Sequence, residues 1–170
     1  MQAGSQEFES PNLHIKRRTM KIEVEGSPVL RKKSKRVSSI NNDIRKFCAE
    51  MAQTMKDAKG IGISAPQVGV SKRIIIVNNE GNEWVLINPE IIWDDGKRVS
   101  FNEGCLSVPG EYADILRPDM IKVKYRELSG RPQTVDLDGL LSRIVQHEID
   151  HLNGILFTDY LTDKGSAITI

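Results

Sequence analysis

His147 and His151 stand four residues apart with Glu148 beside the first, in the run QHEIDHLNG. On a helix, imidazoles at i and i+4 project from one face and can reach a single metal ion. Glu148 lies one position further around, where a carboxylate can hold a water and take its proton as a general acid/base. Leu140, Leu141, Ile144, Val145, Ile149 and Leu152 give the segment broad apolar faces, so the helix is expected to be largely buried. Unpartnered His and Glu are costly to bury, which makes a metal a sensible use for them. The alternative is a pair of core histidines hydrogen-bonded to backbone.

The third ligand decides the class of site. An extended protease pattern, HExxHxxGxxH, matches through Gly154 but puts Phe157 where its third histidine would fall. His14 is the only other histidine, and it lies in a polar N-terminal stretch. The short segment after Gly154 offers Asp159 and Asp163 but little room for a further helix bearing a glutamate ligand. Cys105 is the best remaining candidate, in the loop-like run EGCLSVPG, where its sulfur is expected to point outward. One Cys and two His make a tetrahedral site with the fourth position open, the catalytic rather than the structural pattern. Taken alone, Cys105 would more often be a packed core residue.

Several elements must position these groups. The alternation of Ile22 and Val24 predicts a short strand after Met20. Ser38 or Ser39 is expected to cap a helix over residues 40–58, with Ile40, Ile44, Phe47, Cys48, Met51, Ala52, Met55 and Ala58 on one face and Lys59-Gly60 as its stop. Cys48 thus reads as core. A glycine-punctuated loop, GIGISAPQVG, follows. β-Branched runs predict strands at 73–77, 83–87, 91–93 and 121–125, with a weaker one near 133–137, separated by turns that include Asn88-Pro89. Such short connections favour antiparallel pairing. A second helix is expected from Asp138 or Gly139 to Asn153, closed by Gly154. The fold class is α+β: small antiparallel sheets packed around a central helix that carries the HEIDH motif.

The 170 residues, 39% hydrophobic and 28% charged, fit a single catalytic domain over 20–170. Residues 1–19 are polar and aperiodic and read as a flexible tail or an added extension. They lack the apolar stretch of a secretory signal, and Glu7 and Glu9 fit poorly in an organelle transit peptide. No run approaches the about 20 apolar residues of a membrane span. A net charge of +1 gives no whole-chain argument for nucleic acid. The basic run RKKSKRV at 31–37 reads as a solvated loop, with contact to RNA or a ribosome surface as the alternative.

Three segments together resemble the peptide deformylase family, whose members carry a GφGφAAPQ loop, an EGCLS loop and a QHExDHLxG helix in that order. This chain has Gly60 to Gln67 as GIGISAPQ, Glu103 to Ser107 as EGCLS, and Gln146 to Gly154 as QHEIDHLNG. The departure is Ser64, where the family usually has Ala. The resemblance covers the chain from about Met20 onward. It implies a metal-dependent amide hydrolase that removes formate from the formyl-methionine terminus of nascent polypeptides. It also implies one divalent ion, natively Fe2+, with Zn2+, Ni2+ or Co2+ able to substitute. Formyl-methionyl peptides would be its partners, with transient ribosome association and neither membrane nor specific nucleic acid. Its place would be a bacterial-type cytoplasm or an organelle of bacterial origin.

That chemistry needs an oxyanion stabiliser as well as an acid/base. The Gln67 side-chain amide and the Leu106 backbone N–H are the candidate donors. Gly62 and Gly104 would let a peptide lie strand-like against the backbone. Ile61, Phe101, Arg143 and Ile144 correspond by position to residues around the family's methionine pocket, and Tyr112 is placed to meet the peptide beyond it. For Arg143 the stem is expected at the pocket rim with its head in water. Asp150 is expected to be structural. Two other readings compete: a metallopeptidase cutting internal bonds, which formate release would exclude, and a metal-stabilised binding module, which would be indifferent to loss of Glu148.

Overall fold

The computed structural model describes residues 19–161. Of the expected tail only Thr19 falls within it, where its hydroxyl donates to Asp57; the rest of the tail and residues 162–170 lie outside the described residues. Among the described residues two α-helices, α1 (Asn42–Asp57) and α2 (Gly139–Asn153), accompany seven strands. The strands are β1 (Gly62–Ser64), β2 (Ile74–Asn79), β3 (Asn82–Asp94), β4 (Arg98–Cys105), β5 (Val108–Pro118), β6 (Ile121–Arg126) and β7 (Pro132–Leu137). Five form one antiparallel sheet in the order β1-β2-β3-β6-β7, and β4 pairs with β5 alone.

The run Ile74-Ile75-Ile76-Val77 explains the layering. Successive strand side chains face opposite ways, and all four here are fully buried. Ile74 and Ile76 join Ile44, Cys48, Met51 and Met55 of α1 in one core. Ile75 and Val77 join Ile144, Val145, Ile149 and Leu152 of α2 in a second. The sheet therefore separates the helices, and α2 lies between it and the β4–β5 hairpin. This is the expected α+β arrangement, with α1 as an added outer layer.

Several local expectations change. Residues 20–24 form no strand: the N–H of Glu23 donates to the Gln67 carbonyl at 2.8 Å, and that of Glu25 donates to the Ser107 carbonyl at 2.8 Å. The segment is strapped to two different loops, so no single ladder forms. The cap of α1 is Asn41, which accepts from the Ile44 N–H at 3.0 Å, rather than Ser38 or Ser39. Beyond that helix Lys59, not Gly60, takes the left-handed conformation at φ 55°. Gly60 instead packs under Leu106: a Cβ there would come within 2.8 Å of Leu106 Cδ1 and push that side chain aside. The two strands expected at 83–87 and 91–93 are one. Asn88, at φ 55°, makes an irregularity within it instead of a turn, and its side chain bonds both ways to the Val37 backbone. The segment containing EGCLSVPG is no open loop but the tip of the unpredicted β4–β5 hairpin. The second helix has the expected bounds, and Gly154 closes it at φ 80°. Among the described residues no helix is long and apolar enough to cross a membrane.

Candidate active site

α2 carries His147 and His151 on one face, and both are buried. The hairpin brings the sulfur of Cys105 to them from the end of β4. A register shift between Gly104 and Cys105, followed by the turn at Leu106-Ser107, aims the thiol inward rather than outward. Cys105 Sγ lies 3.2 Å from His151 Nε2, and one ligand atom from each of the three residues lies within 4.8 Å of the others. The far nitrogen of His147, Nδ1, meets Glu103 Oε2 at 2.9 Å, which leaves Nε2 for the centre. A carboxylate behind a ligating imidazole fixes its tautomer and orientation.

The donor set and its field both suit a cation. Burial alone would drive both imidazoles neutral. His147 is instead held up at about 10 by hydrogen bonds to Cys105 and Glu103 and by the charge of Glu148. His151, also buried and repelled by the positive charge of His147, is pushed well below its ordinary value. The partners of His147 thus favour positive charge in this pocket, which suits a cation. Two buried polar atoms, His151 Nδ1 and Glu148 Oε2, have no hydrogen-bond partner. One thiol and two imidazoles suit several first-row metals.

Glu148 is 4% exposed, and burial raises its carboxyl to about 7 against the smaller effects of His147 and Ser64. Its Oε1 lies so close to Gly62 that a Cβ there would come within 2.6 Å of it and within 2.7 Å of Ile144 Cγ2. Gly62→Ala should therefore displace the carboxylate, lowering kcat/KM at least roughly tenfold while overpacking costs about 1–3 kcal/mol of stability. Steady-state kinetics beside thermal unfolding would check this; wild-type kinetics would mean that Glu148 tolerates the shift.

A cleft of about 450 Å³ opens over the centre. Every residue expected from the sequence to act in catalysis, metal binding or substrate binding lines it except His151, which is seated behind at 1% exposure. Ile61, Phe101 and Tyr112 stand at the exposed mouth. Arg143 departs from expectation: its head is buried, not in water. It donates to the Val99 carbonyl at 2.6 Å, the Ile115 carbonyl at 3.0 Å and Glu103 Oε1 at 3.2 Å. Only its stem is left for the cleft.

The sequence reading missed Glu103 and Arg117. Arg117 is 4% exposed; its Nε and Nη2 donate to the two oxygens of Glu103 at 2.7 and 3.0 Å, and its Nη1 reaches Asp150. Arg117 sits two residues after the fully buried Ile115 and so faces the same way along β5, but with that strand unpredicted nothing in the sequence pointed to it. Burial by itself would raise the Glu103 carboxyl, but the hydrogen bonds from His147 and Arg117 outweigh it and hold the group well below its ordinary 4.5. A lowered pKa means the folded state prefers the ionised form. That contribution is complete above the ordinary carboxylate value and drains away as pH falls toward about 2. Metal-free protein should lose stability across this window in denaturant titrations, and Glu103→Gln should flatten the loss.

The family model for polypeptide deformylase matches residues 19–167. The chain belongs to the peptide deformylase family. A peptide deformylase of a Picosynechococcus species is 46% identical over 144 residues, covering 82% of this chain and 77% of that protein. The crystal structure of a Synechococcus elongatus peptide deformylase in complex with actinonin has a TM-score of 0.81 at 42% identity, covering 93% of this chain and 83% of that one. The Thermotoga maritima peptide deformylase has a TM-score of 0.82 at 39% identity, covering 84% and 97%. The enzyme is a hydrolase of the N-formyl group on new polypeptides.

Proposed function

We propose that deformylation takes place at a single divalent ion, natively ferrous iron, held by Cys105, His147 and His151, with Glu148 as the proton carrier. The observation that carries this reading is the convergence of three ligand atoms within 4.8 Å, with the spare nitrogen of His147 already engaged by Glu103. When bound, the ion supplies Lewis acidity, polarising the formyl carbonyl and making water acidic enough to attack at neutral pH.

The rest falls to the chain. Glu148 takes the proton of the attacking water and returns it to the departing amine nitrogen, a cycle suited to a carboxyl raised to about 7. The Gln67 amide and the Leu106 backbone N–H donate to the oxygen that gains charge. The peptide backbone lies strand-like beside Gly62 of β1 and Gly104 of β4, whose missing side chains make room for Glu148 and Tyr112. Ile61, Phe101, Ile144 and the Arg143 stem surround the methionine side chain, and Tyr112 meets the residue after it.

Formate release from formyl-methionyl peptides by anaerobically purified protein, with iron, zinc, nickel and cobalt measured on the same sample, tests the reading. One metal per chain and highest turnover with iron is the expected result. Full turnover after the metal is stripped would sink it. The substrates emerge where formylated chains are made, in a bacterial-type cytoplasm or an organelle of bacterial origin. The exposed Lys32, Lys33, Lys35, Arg36 and Lys72 offer a basic surface for transient ribosome contact. Salt-sensitive cosedimentation, lost on charge reversal of Lys35 and Lys72, is its check.

A further inference from the structure

Gln67 is 1% exposed, in the short turn that follows β1. A glutamine side chain has two chemically opposite ends of nearly equal shape, so its orientation is set by its partners. Here the oxygen end is doubly held. The backbone N–H of Ser64 donates to Gln67 Oε1 at 2.8 Å, and the Ser64 hydroxyl donates to the same oxygen at 2.9 Å. The nitrogen end is thereby turned toward the centre, with Nε2 3.6 Å from Cys105 Sγ. An alanine at this position, the residue usual in the family, would keep the backbone donor and lose the hydroxyl.

Ser64 is itself fully buried on β1. Its neighbours leave it little freedom, since its strand is paired through Ser64 to Ile75 of β2.

We infer that Ser64 is a positioning residue for deformylation, its hydroxyl being the second of two donors that lock the Gln67 amide with its N–H toward the Cys105–His147–His151 centre. This rests on the reading of Gln67 as the oxyanion donor. The hydroxyl touches no substrate; it acts by keeping the amide from swinging about its last torsion. A donor that is already aimed needs no reorganisation when charge develops, which is where such groups gain their effect.

A four-member cycle of wild type, Ser64→Ala, Gln67→Ala and the double variant separates the possibilities. Gln67→Ala should lower kcat roughly a hundredfold, the scale of one lost oxyanion donor. Ser64→Ala should lower kcat about three- to tenfold with KM unchanged, the scale of one neutral hydrogen bond. In the Gln67→Ala background the Ser64 change should cost nothing. A second readout needs no turnover: hydrogen exchange of the Gln67 side-chain amide, followed by NMR in metal-free protein, should run several-fold faster in Ser64→Ala. Near-wild-type kcat for Gln67→Ala would overturn the oxyanion reading itself. A large Gln67 effect with a Ser64 cost that is absent, or equal in both backgrounds, or with unchanged amide exchange, would overturn the role of Ser64 alone.

Discussion

Glu148→Gln is expected to lower formate release roughly a thousandfold, the scale of a lost general acid/base, with metal content and fold intact. The amide matches the carboxyl in size and keeps one oxygen, so packing against Gly62 and Ile144 survives. What disappears is the ability to take a proton and give it back. Stability should not fall. The wild-type carboxyl is buried, its Oε2 has no partner, and burial has already raised it to about 7. A neutral amide escapes the cost of burying charge, so the melting temperature should be unchanged or higher. Metal content should hold at one per chain, because the three ligand atoms come from other residues. kcat with a formyl-Met peptide, metal analysis and thermal unfolding on one preparation decide the matter. Turnover within tenfold of wild type would remove Glu148 from the mechanism, and loss of metal with activity would make it a structural partner of the site.

The parts of the site that were legible in the sequence are those where periodicity and chemistry coincide. α2 announces itself through its apolar stripe, its closing Gly154 and two histidines at helical spacing, so its bounds and the face bearing His147 and His151 follow directly. β2 is legible because four consecutive β-branched residues have no other use. The β4–β5 hairpin is not, for a physical reason. Its inward positions mix Val108, Ala113 and Ile115 with Glu103, Cys105 and Arg117, and these last three are buried by pairing with one another and with α2 rather than by the hydrophobic effect. A strand whose buried face is partly polar has no unbroken apolar alternation to read. Arg143 misled for the same reason: a guanidinium stays out of water only where fixed acceptors await it, and Val99, Ile115 and Glu103 come from a hairpin not visible in the pattern.

That hairpin makes Arg117 the most sensitive support of the site. Its guanidinium bridges Glu103 on β4 to Asp150 on α2, and the ring of Tyr160 packs 4.9 Å from it. Removing one partner of a buried ion pair costs more than the pair contributes, because the remaining charge is stranded in a medium that solvates it poorly. Arg117→Met keeps much of the volume and leaves Glu103 with Arg143 and His147 as its remaining partners. The expected loss is about 3–5 kcal/mol in metal-free protein. Glu103 should then be easier to protonate and hold His147 less firmly, weakening metal affinity by about 10- to 100-fold. Arg117→Lys restores charge without the two-pronged contact to Glu103 and should fall between the two proteins on both measures. Urea unfolding of the metal-free forms and competition with a chelator give the two numbers separately. A stability loss with unchanged metal affinity would mean that Arg117 holds the hairpin to α2 but does not tune the ligand. If Arg117→Met lost less than about 1 kcal/mol, the stranded-charge argument would fail; Glu103 would then be satisfied by Arg143 and His147 alone.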